Sequence, residues 1–126
     1  MTVGPVARNE ATAAFFDFAA RGELLILRCP AGHHSGPRAH RCEVCGADGL
    51  EPVAACGRAR LVSWAVVHRR DGSTSTPAIV ELEEGPWWWT ALVEGEAAVL
   101  AEGLPLEVVF ARQEGSEAVP VFRPSA

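Results

Sequence analysis

Arg28-Cys29-Pro30-Ala31-Gly32-His33-His34-Ser35-Gly36-Pro37-Arg38-Ala39-His40-Arg41-Cys42-Glu43-Val44-Cys45-Gly46 holds three of the chain's four cysteines and three of its four histidines. Cys42-x-x-Cys45-Gly46 is one half of a zinc knuckle. The spacing sets two thiolates on one tight turn, and the glycine lets the backbone double back so that its N–H groups face sulfur. The other half is irregular. Cys29 is followed by Gly32, His33 and His34 rather than by a second cysteine. A set of Cys29, His33, Cys42 and Cys45 still satisfies zinc, which accepts three sulfurs and one imidazole in tetrahedral geometry. His34 is an alternative to His33, and the sequence does not choose between them. Eight residues separate His33 from Cys42, and they include Gly36 and Pro37, as the loop of a ribbon should. With four protein ligands the site is closed and structural, leaving no position for an activated water. The competing readings are a metal-free remnant of the ribbon and a redox pair of Cys42 and Cys45.

Outward from this stretch, the N-terminal side is a lead and a short helix, residues 1–22. Asn9 is a candidate N-cap with Glu10 in the first turn. Ala11, Ala14, Phe15, Phe18 and Ala19 recur at helical spacing, and Gly22 stops the helix. Phe15 and Phe18 share one face. They either pack on their own domain or dock on a partner. Leu24 to Leu27 feeds Cys29 as a strand, and the ribbon is assigned to residues 23–50, with Leu50 to Ala55 as a connector.

The C-terminal side changes period from helical to alternating. Leu61 to His68, Ala78 to Leu82, Trp87 to Glu94, Leu106 to Phe110 and Glu117 to Phe122 read as five strands rich in β-formers. Asp71-Gly72 and Gly85-Pro86 mark turns between them. Five short antiparallel strands, with a longer connection before the fourth, predict a Greek-key barrel of the OB type over residues 56–124. The fold class is therefore mainly β: an N-terminal helix, a rubredoxin-like zinc ribbon and a five-stranded OB-fold barrel.

Composition narrows the function. Eleven basic against sixteen acidic residues give a formal net charge of −5, the wrong sign for a chain that lives on nucleic acid. The first eight residues lack the apolar run of a signal peptide, and no apolar run approaches a membrane span. A cytoplasmic location follows, where clustered cysteines mean metal or catalysis more often than disulfides. The Ala, Gly, Arg and Pro bias is that of a GC-rich bacterial genome. No nucleophile, base and oxyanion donor can be assembled into a catalytic site. Cys56 reads as a small buried residue at the barrel entry, and His68 has no nucleophile beside it.

Trp87-Trp88-Trp89 is the oddest feature of the barrel. Alternation puts Trp87 and Trp89 on one side and Trp88 on the other. A barrel this small cannot bury all three, so one face is core and the other is either partly covered by the helix or a contact surface for a partner subunit. Trp88 is expected to be the outward anchor, with Trp87 and Trp89 inside. Arg69 and Arg70 on the first hairpin are candidates for a phosphate contact. A nucleic-acid-binding OB protein is the alternative reading. The Trp run and the basic cluster of Arg28, Arg38 and Arg41 favour it. Glu81, Glu83, Glu84, Glu94 and Glu96 oppose it, because a groove that tracks phosphates needs the opposite charge.

Several segments in order resemble one family. They are Gly22-Glu23-Leu24 leading to Cys29, Pro37-Arg38 before Cys42-Glu43-Val44-Cys45-Gly46, and Cys56-Gly57-Arg58-Ala59. Ser63 to His68, Pro77 to Gly85, Gly103 to Phe110 and Pro120 to Pro124 complete the series. Together they resemble the zinc-ribbon plus OB-fold proteins of acyl-CoA metabolism, filed as the domain of unknown function numbered thirty-five. The similarity covers roughly residues 15–124. It implies a non-catalytic accessory subunit in lipid or secondary metabolism. Such subunits pair with a thiolase-like enzyme, an aldolase of that fold or an acyl-CoA hydratase, and the partner carries the catalytic residues. The resemblance further implies that the small protein helps shape the acyl-CoA channel; Arg69 and Arg70 on the first hairpin are either a contact for the CoA phosphates or a solvated turn. Phe15, Phe18 and the three tryptophans are then the partner interface. The departure from the family pattern lies at Gly32, where a second knuckle cysteine is expected.

Overall fold

The structure, a computed structural model of the 126-residue chain, describes residues 12–93, 100–112 and 114–125. Helix α1 spans Ala13–Ala20 and starts at Thr12, so the Asn9 cap lies outside the described residues. It ends as the sequence suggests. The N–H groups of Gly22 and Glu23 bond back to the carbonyls of Ala19 and Phe18 at 2.9 Å each, which satisfies the last turn.

Strands β1 (Leu24–Arg28), β2 (His34–Ser35) and β3 (Glu51–Ala55) form a three-stranded antiparallel sheet in the order β2-β1-β3. The expected connector over 50–55 is thus a strand. Pro52 made it read as a loop, but β3 is an edge strand, where a missing N–H can face away from the ladder. The register runs from Leu24↔Ala55 to Arg28↔Glu51.

The second sheet is built from β4 (Arg58–Trp64), β5 (Val67–His68), β6 (Thr74–Leu82), β7 (Trp87–Leu92), β8 (Pro105–Ala111) and β9 (Val119–Pro124). The stretch 61–68, expected as one strand, is divided. A register shift between Leu61 and Ser63 and the gap at 65–66 separate β4 from β5. Neighbours run β4-β8-β9-β7-β6, and β6 returns to β4, closing a five-stranded barrel; β5 extends β6 at one end. Among the described residues one parallel pairing, Leu92↔Phe122, joins β7 to β9. This order is that of an OB-fold.

Leu61, Val80, Leu82, Trp88, Leu92, Leu106 and Phe122 fill the barrel. Leu24 and Ile26 of the ribbon belong to the same cluster. The ribbon and the barrel are therefore packed on one core rather than strung on a linker. Helix α1 closes the open end: Phe16 and Ala19 are buried, and the Phe15 ring stacks on Trp88 at 6.0 Å between centroids. The junction after β3 is tight. Gly57 has φ +88°, and a Cβ there would sit 2.8 Å from Val108 Cγ1. Only glycine takes this backbone angle at little cost with so close a neighbour.

Candidate metal centre and interaction surface

The two knuckles bring together the four residues expected to ligate. The ligand atoms of Cys29, His33, Cys42 and Cys45 all lie within 4.8 Å of one another. Cys29 and Cys42 are buried, His33 is half-buried and Cys45 is exposed. Backbone geometry explains the convergence. After β1 the chain turns at Pro30 and Gly32, with Gly32 N–H on the Cys29 carbonyl and Cys29 N–H on the His33 carbonyl, both at 2.9 Å. Gly32 has φ +91°, so the residue in the place of the missing cysteine serves the turn, and the next residue, His33, brings its imidazole to the three cysteines. The second knuckle closes through Gly46 N–H on the Cys42 carbonyl at 2.9 Å. N–H groups also face sulfur: His33 on Cys29, and Val44 and Cys45 on Cys42, each at 3.4 Å.

The spacings fit a tetrahedral ion. Two thiolates about 2.3 Å from zinc at the tetrahedral angle lie about 3.8 Å apart, and a thiolate and an imidazole nitrogen about 3.6 Å apart. Cys29 Sγ is 3.8 Å from Cys45 Sγ and 3.6 Å from His33 Nδ1. The electrostatics prepare one thiol for the task. The Cys45 N–H, helped by that of Val44, draws the Cys42 thiol down from 9.0 to about 6. Cys45 shifts the other way. The Ala47 N–H lowers it, but sharing a proton with Cys42, desolvation and the nearby Cys29 together raise it. The Cys42 thiolate is thus formed readily, and an ion must displace the proton of Cys45. Of the two histidines the cluster contains His33, whereas His34 lies outside it on β2.

The remaining sequence expectations divide. Trp88 is not an outward anchor: it is 8% exposed, whereas Trp87 is 60% and Trp89 80% exposed. The alternation held and the phase was reversed. The reason is pairing. Trp88 faces Val80 across β6–β7, while Trp87 faces Glu81 and Trp89 faces Ile79, and directly opposed residues share a side of the sheet. The even-numbered apolar residues of β6, namely Ala78, Val80 and Leu82, fix that side as the core. Phe15 is half-buried on Trp88, and Phe18 is half-buried with the Arg21 guanidinium 4.6 Å above its ring. The helix residue that sequence reasoning missed is Phe16, which is buried.

Cys56 is exposed, not buried. Its thiol donates to Glu83 Oε2 at 2.8 Å, and its N–H donates to Glu84 Oε2 at 2.7 Å. Partial burial first, then Glu83, pushes the thiol up, the opposite of a nucleophile. Arg58 completes the cluster with a 2.7 Å ion pair to Glu83. His68 is exposed on β5. Arg69 and Arg70 occupy the β5–β6 turn. Arg70 is exposed, and Arg69 is half-buried with Nη1 out of solvent and without a hydrogen-bond partner. Glu94 and Glu96 lie outside the described residues. No helix of the described residues is long and apolar enough to cross a membrane.

Comparison with known proteins agrees with this architecture. Residues 16–51 match the family described as the ChsH2 rubredoxin-like zinc ribbon domain, and residues 52–111 the ChsH2 C-terminal OB-fold domain. A "DUF35 domain-containing scaffold protein" of Pyrococcus furiosus is 27% identical over 97 residues, 73% of this chain and 71% of that protein. A "Probable enoyl-CoA hydratase alpha subunit" of Thermomonospora curvata is 30% identical over 125 residues, 93% of this chain but 38% of that protein. Among solved structures, the "Ltp2-ChsH2(DUF35) aldolase" superposes with a TM-score of 0.79 at 29% identity, covering 94% of this chain and 97% of that one. A DUF35 protein of unknown function from Sulfolobus solfataricus shares the fold, with a TM-score of 0.67 at 14% identity over 93% of this chain and 87% of that one. With its Cys3His cluster, its ribbon and its closed barrel, the chain belongs to the DUF35 family of ChsH2-type zinc-ribbon and OB-fold proteins.

Proposed function

We propose that this protein is a non-catalytic accessory subunit of an acyl-CoA-processing complex. It pairs with a thiolase-like enzyme or aldolase, or with a hydratase, and helps to shape the acyl-CoA site. The observation that carries the reading is the likeness, over 94% of this chain, to a chain of an aldolase assembly named for its DUF35 component. The hydratase subunit of Thermomonospora curvata supports the wider substrate class. The chemistry of the chain agrees. The cysteines of the ribbon converge on a closed Cys3His set, and partial burial, then the Glu83 carboxylate, raises the Cys56 thiol. Zinc is the metal this donor set fits, and with every position filled by protein its role is structural.

Trp87 and Trp89 are the partner-facing residues in this reading, since exposed tryptophan is favoured at interfaces. Phe18 extends the surface onto the helix. Arg69 and Arg70 remain the candidates for the CoA phosphates, supported by the unpartnered Nη1 of Arg69.

The test is to sequence the genes beside its own and to co-express the chain with any thiolase-like or hydratase-like subunit found there. The two chains should co-elute at a fixed ratio, and the purified small chain alone should not turn over short acyl-CoA thioesters. Separate elution, together with turnover by the small chain that vanishes on changing His68 or Cys56, would refute the reading.

A further inference from the structure

The two walls of one cleft come from different modules. His33, Glu43 and Val44 of the metal knuckles face Glu84, Pro86 and Trp87 of the β6–β7 turn across a cavity of about 500 Å³. Its composition is one-sided. Two carboxylates line it together with the imidazoles of His33 and His34, and no lysine or arginine does. A third carboxylate borders it: Glu81 Oε2 accepts the Trp87 indole N–H at 3.2 Å, which pins the ring by its edge and leaves its face open. Trp87 and Val44 are 60% and 67% exposed, so two apolar surfaces flank the negative charge.

An electron-rich indole face ringed by carboxylates selects cations. A planar guanidinium stacks on such a face, and its edge donors reach neighbouring carboxylates in a way that an ammonium does not. The anionic alternatives, phosphate and nucleic acid, are repelled by the same three groups. We propose that this cleft receives an arginine side chain presented by a protein partner. Trp87 is the stacking wall, Glu43 and Glu84 are the counter-charges, and Val44 and Pro86 are the seat for an adjoining apolar residue. The inference rests on the accessory-subunit reading for the source of the arginine, and it adds the chemistry of the contact. The volume suits one or two side chains, not a folded domain.

A direct probe is the capped tripeptide acetyl-Leu-Arg-Leu-amide, titrated into the full, zinc-loaded chain labelled with ¹⁵N. Saturable shifts are expected at the Trp87 indole N–H and at the amides of Glu43, Val44 and Gly85. The same peptide with citrulline, a neutral isostere, should bind roughly two- to fivefold more weakly, the range expected for losing an exposed cation–π contact. E43Q/E84Q should weaken the arginine peptide by a similar factor. W87A, a change at an exposed residue, should remove the saturable shifts and serves as a second variant should E84Q disturb the Cys56 amide contact. Equal responses to arginine and citrulline, no response, or shifts centred on Trp89 or the Arg69 turn would overturn the proposal. The titration contains no enzyme subunit, so its failure leaves the co-elution result standing, and separate elution leaves the titration interpretable.

Discussion

At Cys42 the sulfur accepts two backbone N–H groups, which lower its thiol to about 6. Serine there offers a harder, shorter donor that zinc holds poorly. C42S should therefore reduce metal content from about one zinc per chain to near zero, read by elemental analysis of protein purified without chelator. A full complement of zinc in the variant would show that three ligands suffice. Glu83 gives a residue-scale prediction in pH. The Cys56 thiol, and then the Arg58 guanidinium, hold its carboxyl below the ordinary carboxylate value. A depressed carboxyl stabilises the folded state above its unfolded pKa and ceases to do so as pH falls through its folded pKa. The thermal midpoint of E83Q should thus lie below that of the parent at pH 7, and the difference should shrink as the pH falls below the ordinary carboxylate value and through the lower folded one. A gap that persists unchanged throughout that acid titration would assign the effect to packing instead. Residue identity was legible in the sequence where chemistry is local, as in the knuckle spacing. It was not legible at Cys56, whose exposure depends on two carboxylates 27 and 28 positions away.

Elements explain what the sequence conveyed and what it withheld. The period-2 pattern of 87–89 was plain, but alternation defines two faces without saying which one is wet. The phase comes from the neighbouring strand, and Ala78, Val80 and Leu82 on β6 carried that signal. Reading the two strands as a pair would have placed Trp88 inside. Similarly, β3 was hidden by Pro52, because a strand at an edge has a partner on one side alone. The element-scale prediction follows from burial. W88A removes a core indole stacked on Phe15 and should cost about 3–5 kcal/mol of stability. W89A changes a surface residue and should stay within about 0.5 kcal/mol of the parent. Urea denaturation of the two variants decides it, and a larger loss for W89A than for W88A would mean that the strand lies in the other phase.

For the molecule as a whole, the ribbon and the barrel could have been separable beads. Leu24 and Ile26, in the same cluster as Leu61, Val80 and Phe122, join them instead. Local patterns did not reveal this, because the shared core joins residues nearly a hundred positions apart. Thermal unfolding monitored at the tryptophans of the barrel and at the ribbon amides should therefore trace one transition. Stripping the metal with a chelator should lower the midpoint of both signals together, since metal binding to the ribbon is linked to folding of everything packed on it. Two transitions, of which only the ribbon's responds to chelator, would show independent modules.

The parallel contact of Leu92 with Phe122 has a consequence for biosynthesis. A growing chain can pair Leu24–Arg28 with Glu51–Ala55 soon after residue 55 emerges, because both strands and all four ligand residues are then available. The barrel has no such early stopping point. Its ring stays open between β7 and β8 until β9 is delivered, and β9 is the strand that β7 and β8 share. Translation thus exposes an unclosed sheet edge for the time taken to add the last strand, and that interval is when a ribosome-associated chaperone has most to shield.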